Sequence, residues 1–142
     1  MSSLHKTAAW GDFNNDGFLD LIVKDGLGGE GNGGTGAKGL HRLFKNNGNS
    51  NHYINVKLVG VQSNNRGIGA RVTVTYAGKT GFQENNGGGG GEWDSQSSEP
   101  LHFGIGTANQ ATTVKVIWPS GVVDVVSAVA AGSTLTVTES SP

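Results

Sequence analysis

The sequence contains no cysteine, only three prolines, and no long run of apolar residues. Without a thiol, the chain can form neither a disulfide nor a thiolate metal site, and cysteine-based catalysis is excluded. Its apolar stretches fall far short of the roughly 18 residues that a membrane-spanning helix requires. Insertion into a membrane is therefore not expected.

A cluster of charge of one sign is also missing. The formal net charge is −1 over 142 residues, and the ten basic residues are spread along the chain. Because binding to phosphates requires a basic patch or stripe, nucleic acid is not an expected partner.

The sequence offers no recognisable catalytic constellation. No serine stands in a motif with a histidine and an acid, and Gly26–Gly31, which fits G-x-G-x-x-G, is followed by more glycines instead of a helix. The scattered histidines are expected to pack or to form hydrogen bonds, and not to bind zinc. They are His5, His41, His52 and His102. The chain is predicted not to be an enzyme.

Short segments with alternating apolar residues dominate what is present, and they are rich in Val, Ile and Thr. Turn signals such as Ala77-Gly78-Lys79 and Pro119-Ser120-Gly121 separate them. The predicted strands include 7–10, 19–24, 40–45, 54–58, 71–76, 101–105, 114–118 and 134–138. This pattern predicts an all-β fold: an antiparallel β-sandwich preceded by a single strand-turn-strand unit.

Glycine is in excess, with 25 residues, and it concentrates in the stretches 26–39 and 87–91, whose role the sequence leaves open. The chain is predicted to divide into a β unit over residues 1–48 and a sandwich over 49–142. Its first residues lack the features of a signal peptide, so we expect the chain to begin inside a larger protein.

The loop from Asp12 to Asp20 carries the strongest chemical signal. Oxygen-bearing side chains alternate along it, and Gly17 permits a sharp bend, so the oxygens converge on one point. The predicted ligands are the side chains of Asp12, Asn14, Asp16 and Asp20 and the carbonyl of Phe18. Hard oxygens in this number suit Ca²⁺ better than Mg²⁺. Val23 stands where a helix-flanked calcium hand has its final Glu, so the loop is expected to join two strands.

Two alternatives stay open at this point. The carboxylates of the loop can instead cap backbone amides in Asx-turns, without a metal. A second acidic group, Glu92 and Asp94 with Trp93 between them, could hold another cation or contact a ligand, with Trp93 stacking on a sugar ring or buried in an interface.

Two stretches resemble known families. Residues 5–48, and above all 8–23, resemble the FG-GAP repeat of integrin-type propellers, although one unit cannot close a ring. Residues 49–142 resemble the ASPIC/UnbV domain, which follows such propellers in secreted proteins. The motifs that carry the second resemblance are Asn51-His52-Tyr53, residues 63–72, residues 101–106 and Trp118-Pro119-Ser120-Gly121.

The resemblance implies secretion and a role in adhesion or scaffolding. Together with the acidic loop, it leads us to expect a non-catalytic, extracellular, calcium-binding module. There are two alternatives. The chain could be a structural subunit that pairs through its β-strand edges with copies of itself or with protein partners, or it could be a carbohydrate-binding module.

Overall fold

A computed structural model describes residues 5–25, 41–87 and 100–141, which belong to two compact units, Met1–Asn49 and Ser50–Pro142. The predicted contact residues Glu92, Trp93 and Asp94 lie outside these ranges. So do the glycine-rich stretch 26–39 and residues 88–91. Within the described ranges the fold consists of strands without any helix, which confirms the predicted all-β class.

The first unit is a three-stranded antiparallel sheet in the order β1-β2-β3. Its strands are β1 (His5–Gly11), β2 (Asp20–Asp25) and β3 (His41–Phe44). The acidic loop joins β1 to β2, which pair as an antiparallel hairpin. The loop therefore lies between two strands, as the sequence predicts.

The second unit is a sandwich of two sheets. Its strands are β4 (His52–Val59), β5 (Arg71–Tyr76), β6 (Lys79–Glu84), β7 (Leu101–Gly106), β8 (Gln110–Ile117), β9 (Val123–Ala130) and β10 (Ser133–Thr138). One sheet has the order β10-β4-β7 and the other β6-β5-β8-β9. All pairs are antiparallel except β10 with β4, which run parallel.

Alternating apolar residues from both sheets form one core. Ile54 and Val56 from β4 pack in the same cluster as Val72 and Val74 from β5, and all four are almost completely buried. The period of two in these segments places every second side chain between the sheets, as the sequence predicts.

Two strands of the sandwich were not predicted from the pattern. β6 follows the two-residue loop Ala77-Gly78, in which both residues have positive φ, the geometry of a tight hairpin. β6 itself is an edge strand with largely polar side chains. In β9, Ala128 also has positive φ, and the alternation of burial changes phase at that point, which interrupts the period of two.

No helix in the described ranges is long and apolar enough to span a membrane.

Candidate metal loop

The loop between β1 and β2 curls tightly because two of its residues adopt the left-handed conformation. Asn15 has φ of 57° and Gly17 has φ of 88°. Glycine adopts this conformation without steric cost, and Asn tolerates it better than most residues. The sequence thus explains why the backbone turns here.

Asp12 lies at the centre of the curl. Its Oδ1 accepts a hydrogen bond from the amide of Asp16 at 3.0 Å, and its Oδ2 accepts one from the amide of Gly17 at 2.7 Å. Bonds from backbone amides to a carboxylate are charge-assisted and therefore strong. They hold the loop in a bent form around this one side chain.

Asn14 and Asp16 lie beside Asp12. The Asp16 amide is also 3.3 Å from Asn14 Oδ1, so the side-chain oxygens of Asp12 and Asn14 share one donor and are neighbours. Asn14 Nδ2 donates to Asp16 Oδ2 at 2.8 Å. The structure therefore brings three of the predicted ligand side chains into one hydrogen-bonded group.

The pKa of Asp16 lies below its ordinary value. The main cause is the hydrogen bond of 3.0 Å from the Phe18 amide to Asp16 Oδ1, followed by the bond from Asn14 and the positive charge of Lys45. Lys45 Nζ is 3.9 Å from Asp16 Oδ2. Asp16 is thus kept ionised, as a cation ligand must be.

Asp20 has a different environment from the other carboxylates, since it is only 1% exposed. Its Oδ2 accepts from the Phe13 amide at 3.2 Å, and its Oδ1 accepts from the Asn46 amide at 2.7 Å. Asn46 Nδ2 in turn donates to the Leu19 carbonyl at 3.1 Å. Asp20 and Asn46 therefore fasten the acidic loop to the segment that follows β3.

Phe18, whose carbonyl is the predicted backbone ligand, packs its ring beside Gly48. A Cβ added at Gly48 would lie 3.3 Å from Phe18 Cε2, and Gly48 has φ of 71°. Gly48 is thus suited to this position both by its conformation and by its lack of a side chain.

The donor set fits a hard cation in its chemistry. Carboxylate and amide oxygens of Asp12, Asn14 and Asp16 are adjacent, and each carboxylate oxygen has a lone pair beyond the one used by its backbone bond. The hydrogen bonds from backbone amides to Asp12 and Asp16 are also the bonds that the alternative without a metal, a set of Asx-turns, predicts. Across the described ranges, no group of three or more His, Asp or Glu side chains stands close enough to hold a metal ion.

The histidines of the sandwich serve hydrogen bonding and packing. His52 Nδ1 is 2.9 Å from the Ala108 carbonyl. His102 Nδ1 is 2.9 Å from Asn55 Oδ1, and its ring stacks on Tyr53 with 5.1 Å between ring centroids.

Glu139, just after β10, is a buried carboxylate that no sequence motif singles out. Its Oε2 accepts from three successive amides, Val61, Gln62 and Ser63, at 2.7, 2.8 and 2.8 Å. Its Oε1 accepts from the hydroxyls of Ser63 and Ser120. Burial alone would raise the pKa of Glu139, but these hydrogen bonds outweigh it and lower the pKa to about 2.

Asp124 performs a related task next to the Trp-Pro-Ser-Gly turn. It accepts a bond of 2.7 Å from Trp118 Nε1 and bonds from the amide and hydroxyl of Ser140. Burial would raise the pKa of Asp124, and the bonds from Ser140 and Trp118 more than offset that effect. Both carboxylates fasten the segment after β10 to the sandwich.

Comparison with known proteins gives one match. The sequence family described as ASPIC and UnbV matches residues 60–142, which include β5 to β10 but not β4. No curated protein matches the chain. The ASPIC/UnbV domain is an extracellular-type domain.

Proposed function

The chain belongs to the ASPIC and UnbV family, and from that premise we propose that it is a non-catalytic, extracellular module for adhesion or scaffolding whose acidic loop binds Ca²⁺. One observation carries the proposal: the loop bends around Asp12 so that the oxygens of Asp12, Asn14 and Asp16 are neighbours. The proposed ligands are the side chains of Asp12, Asn14, Asp16 and Asp20 and the carbonyl of Phe18.

The chemistry of the ligands favours calcium over other divalent ions. Calcium accepts six to eight oxygens in irregular geometry, whereas magnesium requires a strict octahedron and gives up its waters reluctantly. A loop held by backbone hydrogen bonds, with carboxylate and amide oxygens on a bent backbone, supplies an irregular set of this kind.

Calcium would act by neutralising charge and stiffening the loop. Three carboxylates in nine residues repel one another, and among the residues that the structure describes Lys45 supplies a counter-charge to Asp16. If free calcium exceeds its dissociation constant a hundredfold, binding adds about 2.7 kcal/mol to the free energy of unfolding. This amount is a large fraction of the stability of a small domain.

The proposal also assigns residues 5–48 to an FG-GAP-like unit. Its support is the arrangement of the loop between two antiparallel strands, followed by a third strand, in a sheet of the order β1-β2-β3. Extracellular fluid, where calcium is millimolar, is the compartment in which such a loop would be filled.

The test measures thermal unfolding of the full chain in calcium and in excess chelator. We expect calcium to raise Tm, and Asp12→Ala and Asp16→Ala to abolish the increase, while magnesium at equal concentration has a smaller effect. Glu84→Ala, which removes an exposed carboxylate from β6, is the matched control and should keep the response. Identical melting curves of the wild-type chain in calcium and in chelator would refute the calcium function.

A second function, self-association of the first unit, is favoured by a separate observation. Apolar side chains on both faces of the three-stranded sheet are exposed: Trp10 by 65% and Phe44 by 51% on one face, Ile22 by 49% and Leu43 by 52% on the other. Within the described residues β1 and β3 are edge strands, which can add to another sheet.

Light scattering after size-exclusion chromatography tests this second function. We expect a concentration-dependent oligomer that Leu43→Ser weakens, because this change removes an exposed apolar side chain. Val125→Ser, which alters a residue of similar exposure (57%) on β9, should leave the mass unchanged. A monomer at all concentrations, with and without calcium, would exclude self-association as the function.

A further inference from the structure

The segment that leaves β3 contacts two carboxylates of the acidic loop. Lys45 Nζ lies 3.9 Å from Asp16 Oδ2, and the next residue, Asn46, donates its amide to the buried Asp20. The loop therefore has a positively charged neighbour, Lys45, which follows the loop by 25 or more positions in the sequence and lies beyond β2.

We propose that Lys45 is a built-in competitor for the cation and that its charge sets how tightly the acidic loop binds calcium. The inference rests on the proposed calcium function and adds to it the residue that regulates affinity.

The position of Lys45 is fixed by its neighbour. Asn46 bonds through its amide to Asp20 at 2.7 Å, through Nδ2 to the Leu19 carbonyl at 3.1 Å, and through Oδ1 to the Gly48 amide at 2.9 Å. The two bonds to Asp20 and Leu19 hold the backbone next to Lys45 against the loop, and the bond from Gly48 orients the Asn46 side chain. The ammonium group is consequently kept near Asp16, although the Lys45 side chain itself is 61% exposed.

The chemistry of Asp16 makes this contact a competition. Its Oδ1 already accepts from the Phe18 amide, and Oδ2, which accepts from Asn14 Nδ2 at 2.8 Å, is also the oxygen that lies 3.9 Å from the ammonium group. A calcium ion bound to Asp16 would either displace Lys45 or remain next to its positive charge. In both cases binding costs more than it would without the lysine, and the metal-free loop is the state that Lys45 stabilises.

Calorimetric titration of the full chain with calcium chloride tests the competition at low ionic strength. Lys45→Gln should bind calcium about two- to fivefold more tightly than the wild-type chain, the effect expected for loss of one partly exposed ion pair. Lys45→Arg keeps the charge and should retain wild-type affinity. Lys57→Gln removes the same charge from the exposed face of β4 and should change nothing. Added salt should reduce the difference between Lys45→Gln and wild type, since ions screen exposed charges.

Thermal unfolding separates competition from a purely structural role. Competition predicts that Lys45→Gln has an equal or lower Tm than wild type in chelator, but a larger increase on addition of calcium. A structural role would lower Tm equally in both conditions. If the wild-type chain binds calcium and Lys45→Gln binds it equally well or more weakly, the inference about Lys45 is overturned but the calcium function is not. Absence of binding in both proteins would overturn the calcium function as well.

Discussion

The two compact units of this chain differ in what holds them together. In residues 50–142, alternating strands bury a continuous cluster of Val, Ile, Leu, Ala, Phe and Trp side chains between two sheets. In the described part of residues 1–49, the most deeply buried charged group is the carboxylate of Asp20, and several large apolar side chains are about half exposed or more. They are Trp10, Phe13, Ile22, Leu43 and Phe44. One unit is organised by hydrophobic burial and the other by hydrogen bonds to carboxylates.

This difference indicates where each unit is sensitive. A hydrophobic core contributes stability in proportion to the area that it buries, and no ligand is needed for it. A loop whose carboxylates accept backbone bonds still carries repelling charges, so a bound cation would be expected to stabilise it. Exposed apolar side chains on a sheet are similarly expected to be stabilised by a surface that covers them. The two functions proposed for the first unit correspond to these two features of its described residues: calcium binding to the acidic loop, and association to the exposed apolar side chains.

The comparison can be tested most strongly at Trp118, which is 2% exposed in the core of the sandwich. Trp118→Ala should lower the free energy of unfolding by about 3–5 kcal/mol, because it leaves a cavity and removes one of the hydrogen bonds to Asp124. Urea unfolding followed by far-UV circular dichroism measures this change. Surface substitutions usually change the free energy of unfolding by less than about 1 kcal/mol. A decrease this small for Trp118→Ala would mean that the sandwich does not depend on this part of its core.

The sandwich also contains a polar element, and a smaller effect is expected when it is altered. The pKa of Glu139 is lowered from 4.5 to about 2 in the folded chain, so the folded state binds fewer protons than the unfolded state between these values. The stability that Glu139 contributes is therefore fully present above pH 4.5 and is lost as the pH falls towards 2.

Glu139→Gln should lower Tm at neutral pH and flatten the decline of Tm between pH 4.5 and about 2 relative to wild type. The amide cannot accept three backbone bonds as strongly as a carboxylate, and it does not titrate. Melting curves across this range measure the effect, and Glu84→Gln, at an exposed site, serves as control. An unchanged slope in Glu139→Gln would show that other carboxylates cause the acid sensitivity.

The smallest effect is expected at Trp10, the counterpart of Trp118 in the first unit, which is 65% exposed. Trp10→Ala should change the free energy of unfolding by no more than about 0.5 kcal/mol, as surface substitutions usually do. The same urea titration measures it at low protein concentration. A loss as large as that of Trp118→Ala would show that Trp10 is buried against a partner in solution, which would favour self-association.

Several parts of the fold follow from local sequence. Val72, Val74 and the residues of β4 alternate with polar neighbours, and the period of two is sufficient to predict both strand and buried face. The bends at Gly17 and Gly78 also follow from the conformational freedom of glycine, whereas the positive φ of Ala77 does not follow from its residue type. The strand β9 could not be predicted in this way, because the alternation of burial changes phase at Ala128, where φ is positive.

The acidic loop shows the same division. Its oxygen-bearing residues, its bend and its position between strands could be predicted from the sequence. The bond of Asp20 to Asn46 and the approach of Lys45 to Asp16 could not be predicted. They join residues that lie 26 or more positions apart, which is farther than any local motif extends.

The sequence by itself determined the all-β class, the core faces of strands such as β4 and β5, and the oxygen-bearing residues of the acidic loop, because each depends on residue type and short-range periodicity. Only the tertiary structure decided that β10 pairs in parallel with β4 and that Glu139 occupies the amides of residues 61–63. These contacts join segments more than 70 residues apart, and no local propensity specifies which distant backbone a strand or a carboxylate will meet.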